Sequence, residues 1–158
     1  MNQQNGKKII ARNRKASHNY HLMDTFQAGL VLMGSEIKSI RANRISLRDG
    51  YVHERAGELW LMNVHISPYD QASLFGHSDP LRPRKLLLHR REINRIISSL
   101  RERGFTAIPT MIYLERGLAK VEIALAKGKR LYDKRDSISK RDSDRQIHRQ
   151  LKEGVRDT

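Results

Sequence analysis

The chain has 158 residues, 31 of them Lys or Arg and 17 Asp or Glu, for a formal net charge of +14. That length accommodates one ordinary domain with a real core, and a charge of that sign and size points to a polyanionic partner: RNA, DNA or an acidic membrane surface. The absence of cysteine excludes disulfides, thiolate chemistry and Cys-based zinc sites. No apolar run approaches the ~20 residues of a membrane span and MNQQNGKK lacks the apolar core of a signal peptide, so a soluble, cytoplasmic protein is expected.

Residues 1–6 are polar and are read as disordered. Ile9 to Asn13 and Tyr20 to Met23 read as short strands within KKIIARNRKASHNYHLM, a stretch with five positive charges and no acid. Asp24 to Gly29 reads as one helical turn, opened by an Asp cap and closed by glycine. In LVLMGSEIKSIR, Val31, Met33 and Ile37 share one face of a period-2 pattern, which predicts a half-buried strand. Tyr51 to Glu54 and LWLMNVHI form a hairpin about Arg55-Ala56-Gly57-Glu58, with Trp60, Met62, Val64 and Ile66 on one face. Residues 70–83, rich in Ser, Asp, Gly and Pro, read as a long loop.

Ile93, Ile96, Ile97 and Leu100 follow the i, i+3, i+4, i+7 spacing of an amphipathic helix, with His89 at its start and Gly104 as its C-cap. A second hairpin, Thr106 to Leu114 and Leu118 to Ala126 about Glu115-Arg116-Gly117, turns Val121, Ile123 and Leu125 inward and Lys120 and Glu122 outward. About six short antiparallel strands with one main inserted helix predict a mainly β fold, a small closed barrel of the OB type, since closure hides sheet edges. The expected division is a barrel over residues 1–126 and a flexible tail over 127–158. That tail has 11 Lys or Arg against 6 Asp or Glu, a net +5, which leaves +9 on residues 1–126. It carries too few apolar side chains to offset the ordering entropy of its backbone.

Three basic clusters carry the functional signal: Lys7, Lys8, Arg12, Arg14 and Lys15; Lys38, Arg41, Arg44 and Arg48; and Arg82, Arg84, Lys85, Arg90, Arg91 and Arg95. A single cluster reads as a solvated face, whereas three with a net excess fit phosphate binding. Tyr20, Tyr69 and Tyr113 are candidates for stacking on unpaired bases. His18 and His21 form an i, i+3 pair with no third ligand at a recognised spacing, so no metal site is assigned. No nucleophile elbow, phosphate-cradling glycine loop or HExxH motif occurs, and no catalytic residue is assigned. These features alone fit a general OB-type RNA-binding translation factor, a basic ribosomal protein or, less well, an RNA-processing enzyme.

The strings ARNRKASHNY (Ala11 to Tyr20), FQAGLVLMGSEIKSIRA (Phe26 to Ala42), HISPY (His65 to Tyr69), RPRKLLLHRREI (Arg82 to Ile93) and AKGKRLYDKR (Ala126 to Arg135) resemble, in order and spacing, the SmpB (small protein B, SsrA-binding) family. The resemblance implies a non-catalytic, cofactor-free bacterial protein, monomeric when free. Such a protein binds the tRNA-like domain of transfer-messenger RNA (tmRNA, the SsrA RNA) and aids its aminoacylation. It delivers that RNA to stalled ribosomes for trans-translation, which tags the nascent peptide for degradation and rescues the ribosome. By position, the implied RNA-binding residues are Asn13, Arg14, Lys15, Gln27, Lys38, Arg41, Lys85, Leu87 and Lys120. Many relatives carry Glu where Gln27 stands, and Gln keeps an acceptor, adds a donor and loses the charge. In the tail, Lys127, Lys129, Arg130, Tyr132, Asp133, Lys134 and Arg135 are the implied ribosome-binding residues, reaching small-subunit rRNA at the decoding centre and the empty messenger channel. Tyr132 is the stacking candidate. Ile147, Leu151 and Val155 share a helical stripe, so the tail is expected to be helical when bound.

Overall fold

The computed structural model describes residues 3–4, 6–69, 79–129 and 145–146. Among residues 3–129, where described, ten strands and three helices follow in the order β1 (Gln3–Gln4), β2 (Lys7–Arg12), α1 (Ala16–Asn19), β3 (Tyr20–Leu30), α2 (Gly34–Arg41), β4 (Ile45–Ser46), β5 (Tyr51–Arg55), β6 (Glu58–Met62), β7 (His65–Ile66), β8 (Arg84–Leu87), α3 (Arg90–Arg101), β9 (Phe105–Glu115) and β10 (Leu118–Gly128). Eight strands form one antiparallel sheet, ordered β1-β2-β9-β10-β3-β8-β6-β5, and β4 pairs with β7.

Both expected hairpins are present. Each turns on two residues in the left-handed region, Ala56 and Gly57 between β5 and β6, and Arg116 and Gly117 between β9 and β10. That conformation matches the right-handed twist of the flanking strands. Val121, Ile123 and Leu125 of β10 are buried, as their alternation requires. The first hairpin faces the opposite way from its expected pattern at one end. Leu59 and Leu61 are buried while Trp60 and Met62 are half-exposed, and Val64 and Ile66 are then buried again. Asn63, at a φ of 58°, breaks the alternation between the two pairs. The simple period-2 count across residues 60–66 therefore spans a flip.

Four further expectations are corrected. Gln3–Gln4 pair with Lys7–Lys8 through a turn at Gly6, φ 76°, rather than standing apart from the sheet. Asp24 to Gly29 is the middle of β3, because the ladders of β10 and β8 on either side override a local turn preference. Asp24 pairs instead with Arg95 of α3. Gly34 to Arg41 is helix α2, not strand: Glu36, Ser39 and Ile40 are buried at i, i+3, i+4, and Val31 and Met33, which carried the period-2 reading, are exposed. Helix α3 begins after His89 as expected but ends at Arg101, with Glu102 as its cap and Gly104 in the left-handed region beyond.

The sheet is not closed. Where β5 approaches β9, Pro109 has no N–H to offer, and its carbonyl accepts from Asn13 Nδ2 at 3.0 Å. The two strands meet there by packing, not by a ladder. Inside the curl, Phe26, Leu59, Leu61, Leu86, Ile112, Val121 and Ile123 pack against Ile93, Ile96 and Ile97 of α3 and Ile40 of α2.

One polar cluster crosses this core. The Glu36 carboxylate accepts from Arg84 Nε at 2.7 Å, from Arg82 and from the Met33 N–H at 2.9 Å, while Arg84 also donates to the carbonyls of Val64 and Pro80 at 2.6 and 3.0 Å. Burial disfavours the Glu36 charge, but the Met33 N–H and the two guanidinium groups outweigh it and hold the carboxyl below its ordinary value of 4.5. With the folded pKa depressed, this stabilisation is present above pH 4.5 and is lost as pH falls through the lower folded value. Glu36→Ala leaves Arg84 buried and unpaired and should cost about 3–5 kcal/mol. Arg95→Ala, removing an exposed pair, should cost about 0–1 kcal/mol. Urea unfolding at neutral pH measures both.

Candidate nucleic-acid interface

Strand register determines which outward side chains share a face. Gln27 of β3 lies opposite Glu122 of β10, which lies opposite Met111 of β9, itself opposite Arg12 of β2. Two residues along, Leu87 of β8 is opposite Gly29, Gly29 opposite Lys120, and Lys120 opposite Tyr113. On β8, Lys85 shares the Leu87 side at i, i−2 and is opposite Trp60 of β6. Gln27, Lys85, Leu87 and Lys120, four of the expected binding residues, thus meet on one outer face of the sheet.

Gly29 shapes that face. A Cβ on it would lie 3.3 Å from the Cβ of Leu87, so the missing side chain makes room for Leu87, which is 51% exposed. Gln27, Gly29, Leu87, His89, Glu92 and Lys120 line a shallow cavity of about 370 Å³. Exposed apolar surface beside a cation and a carboxamide suits a base or ribose edge.

Gln27 is held rather than free. The buried Tyr113 hydroxyl donates to Gln27 Oε1, and Gln27 Nε2 donates to Glu122 Oε2 at 3.1 Å; the other Glu122 oxygen accepts from Thr110 Oγ1 at 2.8 Å. Burial first, then the nearby Glu115 and Glu122 charges, push the Tyr113 phenol above its ordinary value, so it remains a donor. That fixes the Gln27 amide with its NH₂ toward Glu122. Lys120 is partly engaged, donating to Glu115 at 3.1 Å and holding that carboxyl below its ordinary value.

A second, more basic groove of about 310 Å³ is lined by Arg12, Asn13, Arg14, Lys15 and Arg48. It joins the first basic cluster to the end of the second, and Arg12, Arg14, Lys15 and Arg48 are all exposed. Asn13 builds it from beneath, because its Nδ2 donates to the carbonyls of Leu47 and Pro109, and its own N–H to that of Thr110 at 2.8 Å. Lys38 and Arg41 lie elsewhere, exposed on α2, with Lys38 Nζ 5.7 Å from the Tyr69 ring centroid.

The third basic cluster is largely consumed by the protein itself. Arg84 and Arg82 bind Glu36, Arg90 binds Glu58 at 3.0 Å, and Arg95 binds Asp24. Lys85 belongs to the outer face, and exposed Arg91 has no acidic partner among the described residues. Charge spacing alone did not separate structural from available cations. Glu122 and Thr110 were not among the expected site residues, whereas Arg48 stood in the second basic cluster. The second hairpin already turned Glu122 outward, but its neighbour Gln27 comes from a strand pairing that the sequence leaves open.

The tail starts from a fixed point. Strand β10 continues past Ala126 to Gly128, Lys127 Nζ sits 5.8 Å from the Phe105 ring centroid, and the Lys129 N–H donates to the Asn19 carbonyl at 3.0 Å. The expected positions Arg130, Tyr132, Asp133, Lys134 and Arg135, and the stripe Ile147, Leu151 and Val155, lie outside the described residues; 145–146 are helical.

Among known proteins, the model of the family described as SmpB protein matches residues 10–153. The SsrA-binding protein of Limosilactobacillus reuteri (strain DSM 20016) is 53% identical over 150 residues, covering 95% of each chain. That of Enterococcus faecalis is 54% identical over 149 residues, covering 94% of this chain and 96% of its own. A solved structure described as "tmRNA-SmpB: a journey to the center of the bacterial ribosome" superposes with a TM-score of 0.66 at 39% identity, over 82% of this chain and 94% of that one. With the family model and relatives of this identity spanning nearly its whole length, the chain belongs to the SmpB family.

Proposed function

We propose that this protein binds the tRNA-like domain of tmRNA through the outer sheet face and the Arg12–Arg48 groove, and carries that RNA to stalled ribosomes in the bacterial cytoplasm for trans-translation. The observation that carries the reading is the convergence of Gln27, Lys85, Leu87 and Lys120 on one face in a chain of this family. The division of labour follows from chemistry. Exposed Arg14, Lys15 and Arg48 suit phosphates, which position an RNA without reading it, while Leu87 and the Gln27–Glu122 pair suit sugar and base edges.

The protein acts as an adaptor without catalysing a reaction, and its sheet is an OB-like barrel open along the seam between β5 and β9. From Lys127 onward the tail acts as a probe of ribosomes that lack message. Such ribosomes have no codon–anticodon pairing to report occupancy of the decoding site, and their empty channel is lined with phosphate that attracts a segment of net +5. An intact message excludes the tail sterically.

Three outcomes are expected. In filter binding to the tRNA-like RNA, Arg14→Ala lowers the magnitude of the slope of log Kd against log salt by about 0.7–0.9, one phosphate contact. Leu87→Asp, at an exposed position, weakens binding about tenfold or more, ~1.4 kcal/mol, with no loss of thermal stability; unchanged affinity would remove the sheet face from the interface. Deleting residues 130–158 keeps the β10 ladder and leaves RNA affinity intact but abolishes peptide tagging on ribosomes stalled in a reconstituted translation system.

A further inference from the structure

Glu122 is anomalous for a surface that meets a polyanion. Its neighbour on the same strand face, Lys120, pairs with Glu115, and no Lys or Arg pairs with Glu122 among the described residues. Its two contacts are neutral donors, Thr110 to Oε1 and Gln27 to Oε2, and Gln27 is in turn fixed by Tyr113. The side chain is half-exposed. Against phosphate it would only repel, so its fixed orientation serves a partner that donates.

The open valences identify that partner. A carboxylate oxygen accepts about two hydrogen bonds, and here each oxygen has one side-chain donor. One acceptor position therefore remains on each of the two oxygens of this single carboxylate. Two adjacent N–H groups on a single edge satisfy both, and among the four RNA bases guanine alone presents such an edge, N1–H with N2–H. Adenine and cytosine offer one amino group, and uracil one imino group. In a duplex the guanine edge is covered by its pair, so the base must be unpaired, as bases read by proteins on RNA usually are.

We propose that Glu122 is a specificity-determining residue of the interface, accepting from the N1–H and N2–H of an unpaired guanine, with Gln27 and Thr110 as positioning residues that orient its carboxylate. This rests on the RNA-binding reading above. It also changes the meaning of Gln27: its amide donates to Glu122, and a carboxylate at position 27 would instead set two negative groups against each other.

The test uses the full chain and a transcribed tRNA-like domain of tmRNA, with inosine, which lacks the N2 amine, replacing each unpaired guanine in turn. Glu122→Gln, which turns one acceptor into a donor facing a donor, should weaken binding to the unmodified RNA about tenfold or more, with unchanged thermal unfolding. One inosine position should weaken the wild type by a comparable factor and have no effect on Glu122→Gln. Gln27→Ala should shrink the same inosine penalty, which a merely structural role would not do. Wild-type affinity of Glu122→Gln, or an inosine penalty that persists in full in that variant, overturns the inference while leaving the Leu87 result to stand. Failure of the wild type to bind this RNA at all would instead overturn the RNA-binding reading.

Discussion

The fold depends on a carboxylate in the wrong place for a carboxylate. Glu36 is 3% exposed, yet it is charged, because Arg82, Arg84 and the Met33 N–H surround it. Strand β8 has only two registered pairs to β3 and two to β6, so its backbone ladders position it weakly. Arg84 supplies the remainder, tying β8 at once to α2 through Glu36, to the link between β6 and β7 through the Val64 carbonyl and to the Pro80 carbonyl. An apolar pair of equal volume would match or exceed the ion pair in stability. It would not aim β8, and on β8 sit Lys85 and Leu87.

The same residues explain how much was legible beforehand. Hairpins declared themselves because alternation and a Gly-containing two-residue turn are local signals, and α3 because its isoleucines repeat at 3.6. Helix α2 was hidden because Glu36 and Ser39 are polar yet buried, so its inward face does not look apolar. Strand β3 was hidden because Asp24 and Gly29 punctuate it, one to reach Arg95 and the other to admit Leu87. Closure failed through Pro109 and Asn13, a pairing of residues 96 apart in sequence that no local pattern reports.

At the candidate interface the legible part was the residue types and the illegible part their partners. Resemblance named Gln27, Lys85, Leu87 and Lys120, and register brought them to one face. It could not tell that Arg84, two residues before Leu86 in a basic string, is buried, or that Gln27 is bracketed by Tyr113 and Glu122. The number of basic residues therefore overstates the unpaired positive charge, since Arg82 and Arg84 pair with Glu36, Arg90 with Glu58 and Arg95 with Asp24. Four exposed cations, Arg12, Arg14, Lys15 and Arg48, share one groove, while Lys38 and Arg41 on α2 and Arg91 on α3 lie outside it.

Strand β10 begins beside the Arg116–Gly117 turn, carries Lys120 and Glu122, and runs on to Gly128, where the Lys129 N–H is pinned to Asn19. At about 3.4 Å per residue, roughly 30 Å of hydrogen-bonded strand lie between Lys120 and the point where the tail departs. That span is irregular on both edges, with register shifts against β9 between Glu122 and Ile123 and against β3 between Ala124 and Ala126, so the place where the chain leaves the sheet is set by the same two bulged ladders that align Lys120 and Glu122 with their neighbours.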